Sequence, residues 1–235
     1  HKILMVHKRF LIIAREWIHW LLKENGLKIL KIDKKKFIYL ISPLKINKHF
    51  YTDLTKVLKQ KKVSFFQLRL KKESFEKKLI IGKKIKKICE RLNVKFLVND
   101  DVYLTKKLNA DGCHLGQKDM SIVDARNIIG NKIIGITCHN SIKLARNAIN
   151  NKADYLAFGA FNSSRTKKVK YKASLNLLKK VRKITKTPIV AIGGINDNNY
   201  KKLLLNKANF LAISGYIWKN NKLEPIEAIK KLKWK

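Results

Sequence analysis

Apolar residues in this chain gather into short runs rich in Ile, Val, Leu and aromatics, each closed by polar residues or glycine. Eight such runs read as strands: Phe37 to Ser42, Val63 to Arg69, Lys95 to Asn99, Asp111 to Leu115, Ile133 to Thr137, Asp154 to Gly159, Pro188 to Gly193 and Asn209 to Ser214. Between them the apolar positions change to helical spacing, at Ser74 to Leu92, Ser121 to Ile129, Ser141 to Asn150, Ser174 to Thr185, Asp197 to Asn206 and Glu224 to Leu232. Several of these segments open on Ser or Asp, residues that cap a helix N-terminus. Strands alternating with helices imply right-handed βαβ units and a parallel sheet. Runs too apolar to face water favour a closed (β/α)8 TIM barrel over an open doubly wound sheet. The pattern predicts one barrel domain over residues 37–235 and a separate N-terminal extension over residues 1–36.

In such a barrel the residues just after each strand share one mouth, so scattered polar motifs become one constellation. The third strand ends in Asn99, Asp100 and Asp101, and the fourth is followed by Gly116, Gln117 and Asp119. Two acidic strand ends suggest a shared hard cation, Mg²⁺, which prefers carboxylate oxygen and keeps company with phosphate. The competing reading is that Asp100 or Asp101 caps the next helix. Gln67, Arg69 and Lys71 alternate along the second strand and beyond it, so an amide, a guanidinium and an ammonium face one way. They suit a multiply charged anion, Arg gripping oxygens as a fork and Lys acting as a point charge. Read blandly, they are a solvated basic strand end.

After the sixth strand, the loop Gly159 to Lys168 holds Asn162, Ser163, Ser164, Arg165, Thr166 and Lys167, a density of hydroxyls and cations that reads as an oxyanion cradle. Gly193-Gly194 and Ser214-Gly215 follow the seventh and eighth strands, where barrels commonly hold a phosphate, and point to a phosphomonoester as second ligand.

YLIS, QLRLK, LVNDD, ADGCHLGQKD, IIGITCH, DYLAFGAF with the later TKK, and IVAIGGI occur in that order, and over about Phe37 to Trp218 the chain resembles thiamine phosphate synthase, a family shared with the thiazole tautomerases. The resemblance implies a transferase that joins hydroxymethylpyrimidine diphosphate to thiazole phosphate, releasing pyrophosphate and forming thiamine phosphate with Mg²⁺ as cofactor. It assigns Gln67, Arg69, Lys71, Asn99 and Lys167 to the pyrimidine diphosphate and places Thr137 where a Ser usually touches the pyrophosphate. Asp100 and Asp119 are assigned to the metal. Ser164, Arg165, Thr166, Gly194, Ser214 and Gly215 are assigned to the thiazole phosphate. Arg69, Lys71 and Lys167 would stabilise the leaving group, so no Ser-His-Asp arrangement is needed.

A tautomerase is the alternative, since that branch also has a His after its fifth strand, as His139 is here. It tends to lose the Asn-Asp pair and the later Asp that this chain keeps. His114, set between apolar residues, is expected to be a packed, hydrogen-bonded histidine. The chain departs from the family pattern at Ala160, where Pro is frequent, at Asn162, Ser163 and Ser164, which replace a more usual Pro-Thr style of loop, at Gly215, where Ser is common, and at Lys207, where Gly is frequent. If Lys207 needs a positive φ, strain follows.

Charge changes the picture least. There are 54 basic and 16 acidic residues, a net +38, but Lys dominates and is spread along nearly every helix. No Arg-rich face or aromatic interleaving marks a specific nucleic-acid reader, so only salt-sensitive adhesion to polyanions is expected. In the extension Phe10, Ile13, Trp17, Trp20 and Leu21 recur at helical spacing among cations, which predicts an amphipathic helix too interrupted to span a membrane. A chain that begins at His1 is open to having been truncated, processed or started in the wrong place. Cys89, Cys113 and Cys138, odd in number and without metal spacing, are expected to be reduced and buried in a cytoplasmic protein.

Overall fold

The computed structural model describes residues 33, 35–163 and 169–234. Among these, eight parallel strands close into a barrel in sequence order: β1 (Ile38–Ile41), β2 (Val63–Leu68), β3 (Lys95–Asn99), β4 (Gly112–Leu115), β5 (Ile133–His139), β6 (Tyr155–Gly159), β7 (Ile189–Ile192) and β8 (Phe210–Ile213). β1 pairs with both β2 and β8, which removes any free edge. This is the (β/α)8 TIM barrel that the alternation predicts, and each strand lies inside its predicted run or within two residues of it. The amphipathic helix predicted from Phe10 to Leu21 lies outside the described residues.

Alternation within the strands builds two layers. Leu40, Phe66, Val98, Leu115, Ile136 and Phe158 point outward and join one apolar cluster with the surrounding helices. Tyr39, Phe65, Tyr155 and Phe210 point inward, their rings packed at centroid separations of 5.0 to 6.1 Å, so the barrel is a filled core and not a pore. Gly135 makes room for this floor, because a Cβ there would fall 1.8 Å from Cζ of Tyr155, its β6 register partner.

The lower rim is fastened by a device repeated before three of the even-numbered strands. Asp111, Asp154 and Asn209 stand just before β4, β6 and β8. Their side chains accept the backbone N–H of Phe96, Ile134 and Ile189 at 2.9, 2.8 and 2.8 Å, reaching back to the preceding odd-numbered strand. Lys95 and Arg126 complete the first two as ion pairs at 2.8 and 2.9 Å.

Helix starts follow the chemistry of their first residues. Ser74, Ser121, Ser141 and Ser174 each accept a backbone N–H of the first turn, as their positions predicted. The predicted start at Asp197 is corrected: that helix is Tyr200–Leu205, with Asn199 at its cap and no side-chain cap bond. Pattern reading also passed over the helices Phe50–Leu58, Val102–Lys107 and Gly215–Trp218, two of them too short to show a period.

Candidate active site

The C-terminal strand ends open into one cavity of about 1050 Å³, at the large end for a ligand site. Gln67, Arg69, Lys71, Asn99, Asp100 and Asp119 line one side of it. Thr137, Gly194, Ser214 and Gly215 line the remainder, so every expected site residue within the described part of the chain meets in one mouth. The other four, Ser164, Arg165, Thr166 and Lys167, lie outside the described residues.

The two aspartates that end β3 divide the readings between them. Asp101 is the helix cap: its Oδ1 accepts the Leu104 N–H at 2.8 Å. Asp100 is turned instead into the mouth by a left-handed backbone, φ 63°, a conformation Asp tolerates better than most residues. There it pairs with Lys71 Nζ at 2.8 Å and shares a hydrogen bond with the Asp119 carboxyl. Asp119 also accepts the Gly116 N–H at 2.6 Å. Burial raises both carboxyls, but hydrogen bonds from Lys71 and Asp119 bring Asp100 below the usual range. Asp119 is held above it by burial and by its acidic neighbour, against the pull of the Gly116 N–H. No group of three or more His, Cys, Asp or Glu side chains that could cage a metal occurs among the described residues.

On the basic wall, Arg69 is anchored through its backbone, whose N–H donates to Ser42 Oγ at 2.9 Å. Its guanidinium makes no ion pair among the described residues. Gln67 is buried, and its Nε2 donates to the Tyr39 hydroxyl at 2.6 Å. His114 is the hydrogen-bonded histidine its surroundings predicted: Nδ1 meets Tyr155 Oη at 2.9 Å and Nε2 meets Thr137 Oγ1 at 2.8 Å. Burial, followed by the Arg69 charge, pushes its pKa down to about 4 against the opposing pull of Asp100, so the ring is neutral at ordinary pH.

Gly193 and Gly194 hold φ of 111° and 55°, which L side chains rarely adopt. A Cβ on Gly194 would sit 2.0 Å from the Ser163 carbonyl oxygen, so the sixth loop's entry limb lies directly on the double glycine. Ser214 spends its hydroxyl on the Ser42 carbonyl at 3.1 Å, which leaves backbone N–H groups as that corner's donors. Cys138, beside the mouth, is buried with its thiol pushed up to about 12, which removes it as a nucleophile.

Three contributors went unnoticed in the sequence. Tyr39 and Tyr155 join hydroxyls at 2.8 Å beneath the mouth; the available signal was a tyrosine in an otherwise aliphatic barrel strand, which must find a partner for its hydroxyl. Tyr171 stacks on His139 at a centroid separation of 4.1 Å, and its carbonyl accepts the Ala160 N–H at 2.8 Å. It thereby ties the sixth loop's return limb to the end of β5, whose register shifts between Thr137 and His139. An exposed loop tyrosine carries no sequence signal for this.

Comparisons with known proteins agree with the geometry. The family described as "Thiamine monophosphate synthase" matches residues 38–217. The chain is 70% identical over 200 residues to the thiamine-phosphate synthase of Pelagibacter ubique, covering 85% of this chain and 97% of that one. It is 39% identical over 196 residues to the Erythrobacter litoralis enzyme of the same name, covering 81% and 92%. Among solved structures it resembles thiamine phosphate pyrophosphorylase from Pyrococcus furiosus, with a TM-score of 0.74 at 27% identity over 84% of this chain and 94% of that one. None of these findings favours a tautomerase. The chain belongs to the thiamine monophosphate synthase family and shares its transferase function in thiamine biosynthesis.

Proposed function

We propose that the mouth joins 4-amino-2-methyl-5-hydroxymethylpyrimidine diphosphate to thiazole phosphate, giving thiamine phosphate and pyrophosphate. The observation that carries this reading is the cation and amide wall of Gln67, Arg69, Lys71 and Asn99 sharing one cavity with the Asp100–Asp119 pair and the Gly193–Gly194 corner. On this reading the wall and Thr137 bind the pyrimidine diphosphate, and Lys167 adds to it by resemblance. Gly194, Ser214 and Gly215 take the thiazole phosphate through backbone N–H groups, with Ser164, Arg165 and Thr166 added by resemblance.

The bond from the pyrimidine methylene carbon to the diphosphate oxygen breaks, and the thiazole nitrogen supplies the electron pair for the new C–N bond. An electron-rich aminopyrimidine can stabilise the intervening cation, so the protein's task is to position two substrates and neutralise a leaving group. Arg69 and Lys71 face that leaving group, and no general base is required.

Asp100 and Asp119 would hold Mg²⁺. Their carboxyls are in hydrogen-bond contact, so they repel once both are ionised, and a hard cation relieves that repulsion. Two carboxylates leave further coordination to diphosphate oxygens and water, the usual habit of this ion. When bound, it would offset charge on the diphosphate.

The catalytic domain is taken as residues 37–235, and removal of residues 1–34 is expected to leave turnover intact. No helix among the described residues is long and apolar enough to cross a membrane. Incubation with both substrates and Mg²⁺, with and without EDTA, tests the reading by mass spectrometry. EDTA-sensitive thiamine phosphate is expected, and folded protein that forms none would overturn it.

A further inference from the structure

Beneath the mouth, Gln67, Tyr39, Tyr155, His114 and Thr137 form one unbroken hydrogen-bond chain drawn from β2, β1, β6, β4 and β5. The links are Gln67 Nε2 to Tyr39 Oη at 2.6 Å, Tyr39 Oη to Tyr155 Oη at 2.8 Å, Tyr155 Oη to His114 Nδ1 at 2.9 Å and His114 Nε2 to Thr137 Oγ1 at 2.8 Å. All five residues line the mouth cavity. Counting protons gives this chain a direction. A tyrosine has one O–H and a neutral imidazole one N–H, so each group can donate across only one of its links. Gln67 donates to Tyr39, and Tyr39 is buried with no other acceptor for its hydroxyl among the described residues, so the Tyr39 proton goes to Tyr155 and the Tyr155 proton to Nδ1 of His114. An accepting Nδ1 leaves the imidazole proton on Nε2, where it is donated to Thr137 Oγ1. The hydroxyl proton of Thr137 is then released toward the cavity.

We infer that this chain is a directional relay in which Tyr39, Tyr155 and His114 are positioning residues, presenting Gln67 Oε1 as an acceptor and the Thr137 hydroxyl as a donor. No described residue donates to Gln67 Oε1, and none accepts from Thr137 Oγ1. The two ends match opposite parts of one ligand: an exocyclic amine on a pyrimidine ring wants an acceptor, and a diphosphate oxygen wants a donor. Reversing the direction would turn both ends the wrong way, with an amide N–H facing the amine and no hydroxyl proton for the diphosphate. The inference rests on the reading of Gln67 and Thr137 as contacts to the pyrimidine diphosphate. The relay is that of a neutral imidazole, since an imidazolium would donate from both nitrogens.

The test is the tautomer of His114 in the full-length protein, read by long-range ¹H–¹⁵N NMR with Mg²⁺ present and again after hydroxymethylpyrimidine diphosphate is added. The Nε2–H form is expected in both, and Tyr155→Phe, which removes the donor to Nδ1, is expected to give a mixture of tautomers. An Nδ1–H form in the wild-type protein would overturn the relay, and that reading needs no variant to fold. Kinetics then test the ends. Thr137→Val and Tyr155→Phe should each cost roughly 10-fold in kcat/KM for the pyrimidine diphosphate, with little further loss when combined, and Thr137→Ser should restore it. Fully additive losses would overturn the coupling. Unchanged constants in Thr137→Val would overturn the reading of Thr137 as a diphosphate contact, an outcome separate from the tautomer.

Discussion

Lys71 Nζ lies 2.8 Å from Oδ2 of Asp100, so the basic wall and the acidic pair of the mouth touch at one ion pair. The Lys71 side chain is 54% exposed, and a pair so open to water contributes little to stability. On the proposed reading, Lys71 exchanges Asp100 for a diphosphate. Lys71→Gln should leave the urea midpoint within the equivalent of about 1 kcal/mol while lowering kcat on the order of 100-fold. Equal losses of stability and turnover would show that the pair holds the fold and not the leaving group.

Adjacent aspartates should respond in opposite ways. Asp101 caps the helix Val102–Lys107, and Asp101→Ala is expected to cost about 1 kcal/mol of stability with turnover retained in the folded fraction. Asp100→Asn keeps a residue that tolerates φ 63° but removes one carboxylate from the proposed metal pair. Its melting temperature should change little, and its turnover should fall roughly 100-fold or more, with a higher Mg²⁺ requirement. Thermal melts and a Mg²⁺ titration on both variants separate the two roles; full Mg²⁺-dependent turnover in Asp100→Asn would refute the metal assignment.

Lys207 has φ 81° just after the helix Tyr200–Leu205, and its N–H donates back to the Leu204 carbonyl at 3.1 Å. This is the left-handed position that closes a helix and prefers glycine. Lys207→Gly should raise stability by about 1 kcal/mol at unchanged activity, measured as an upward shift of the urea midpoint. A fall would mean that the Lys207 side chain contributes more than the strain costs.

The barrel and its expected mouth were legible because period-two strands and helical segments alternate without interruption, and barrel geometry then sends every strand end to one face. That logic gathered Gln67, Asn99 and Asp119 without any contact being known. What it could not supply was the choice between neighbours. Asp100 and Asp101 are chemically identical, and only the left-handed turn at Asp100 decides which enters the mouth. Tyr39 and Tyr155 were hidden for a related reason: in sequence they read as apolar strand residues, and their hydroxyls acquire meaning only when closure brings β1 and β6 across from each other.

Gly135 sets the place of Tyr155, and a methyl group there tests the barrel floor. An added Cβ would meet the hydroxyl-bearing end of a buried ring at 1.8 Å from its Cζ, with no flexible side-chain end to give way. Gly135→Ala should cost about 1–3 kcal/mol through overpacking and also lower turnover, since Tyr155 carries His114 with it. Gly130→Ala, where nothing lies within 4 Å but φ is 58°, is the control that changes backbone freedom without touching the floor, and its kinetic constants should stay at the wild-type values.

His114 makes the fold sensitive to acid. Its folded-state pKa is lowered to about 4 while the unfolded chain keeps an ordinary histidine, so between about pH 6.5 and 4 the unfolded state binds the extra proton. Stability from this group is therefore fully present above the unfolded value and is lost as pH falls toward the folded one. The loss should reach on the order of 2–3 kcal/mol, because protonation places an imidazolium in a buried site that withholds water from its charge. Urea midpoints of the wild type and His114→Gln, taken from pH 7.5 down to about pH 4, should converge as the wild type weakens, the variant keeping only the shallower slope of the remaining titrating groups. Parallel curves would place the acid sensitivity elsewhere and would mean that His114 is solvated enough to titrate as it does in the unfolded chain.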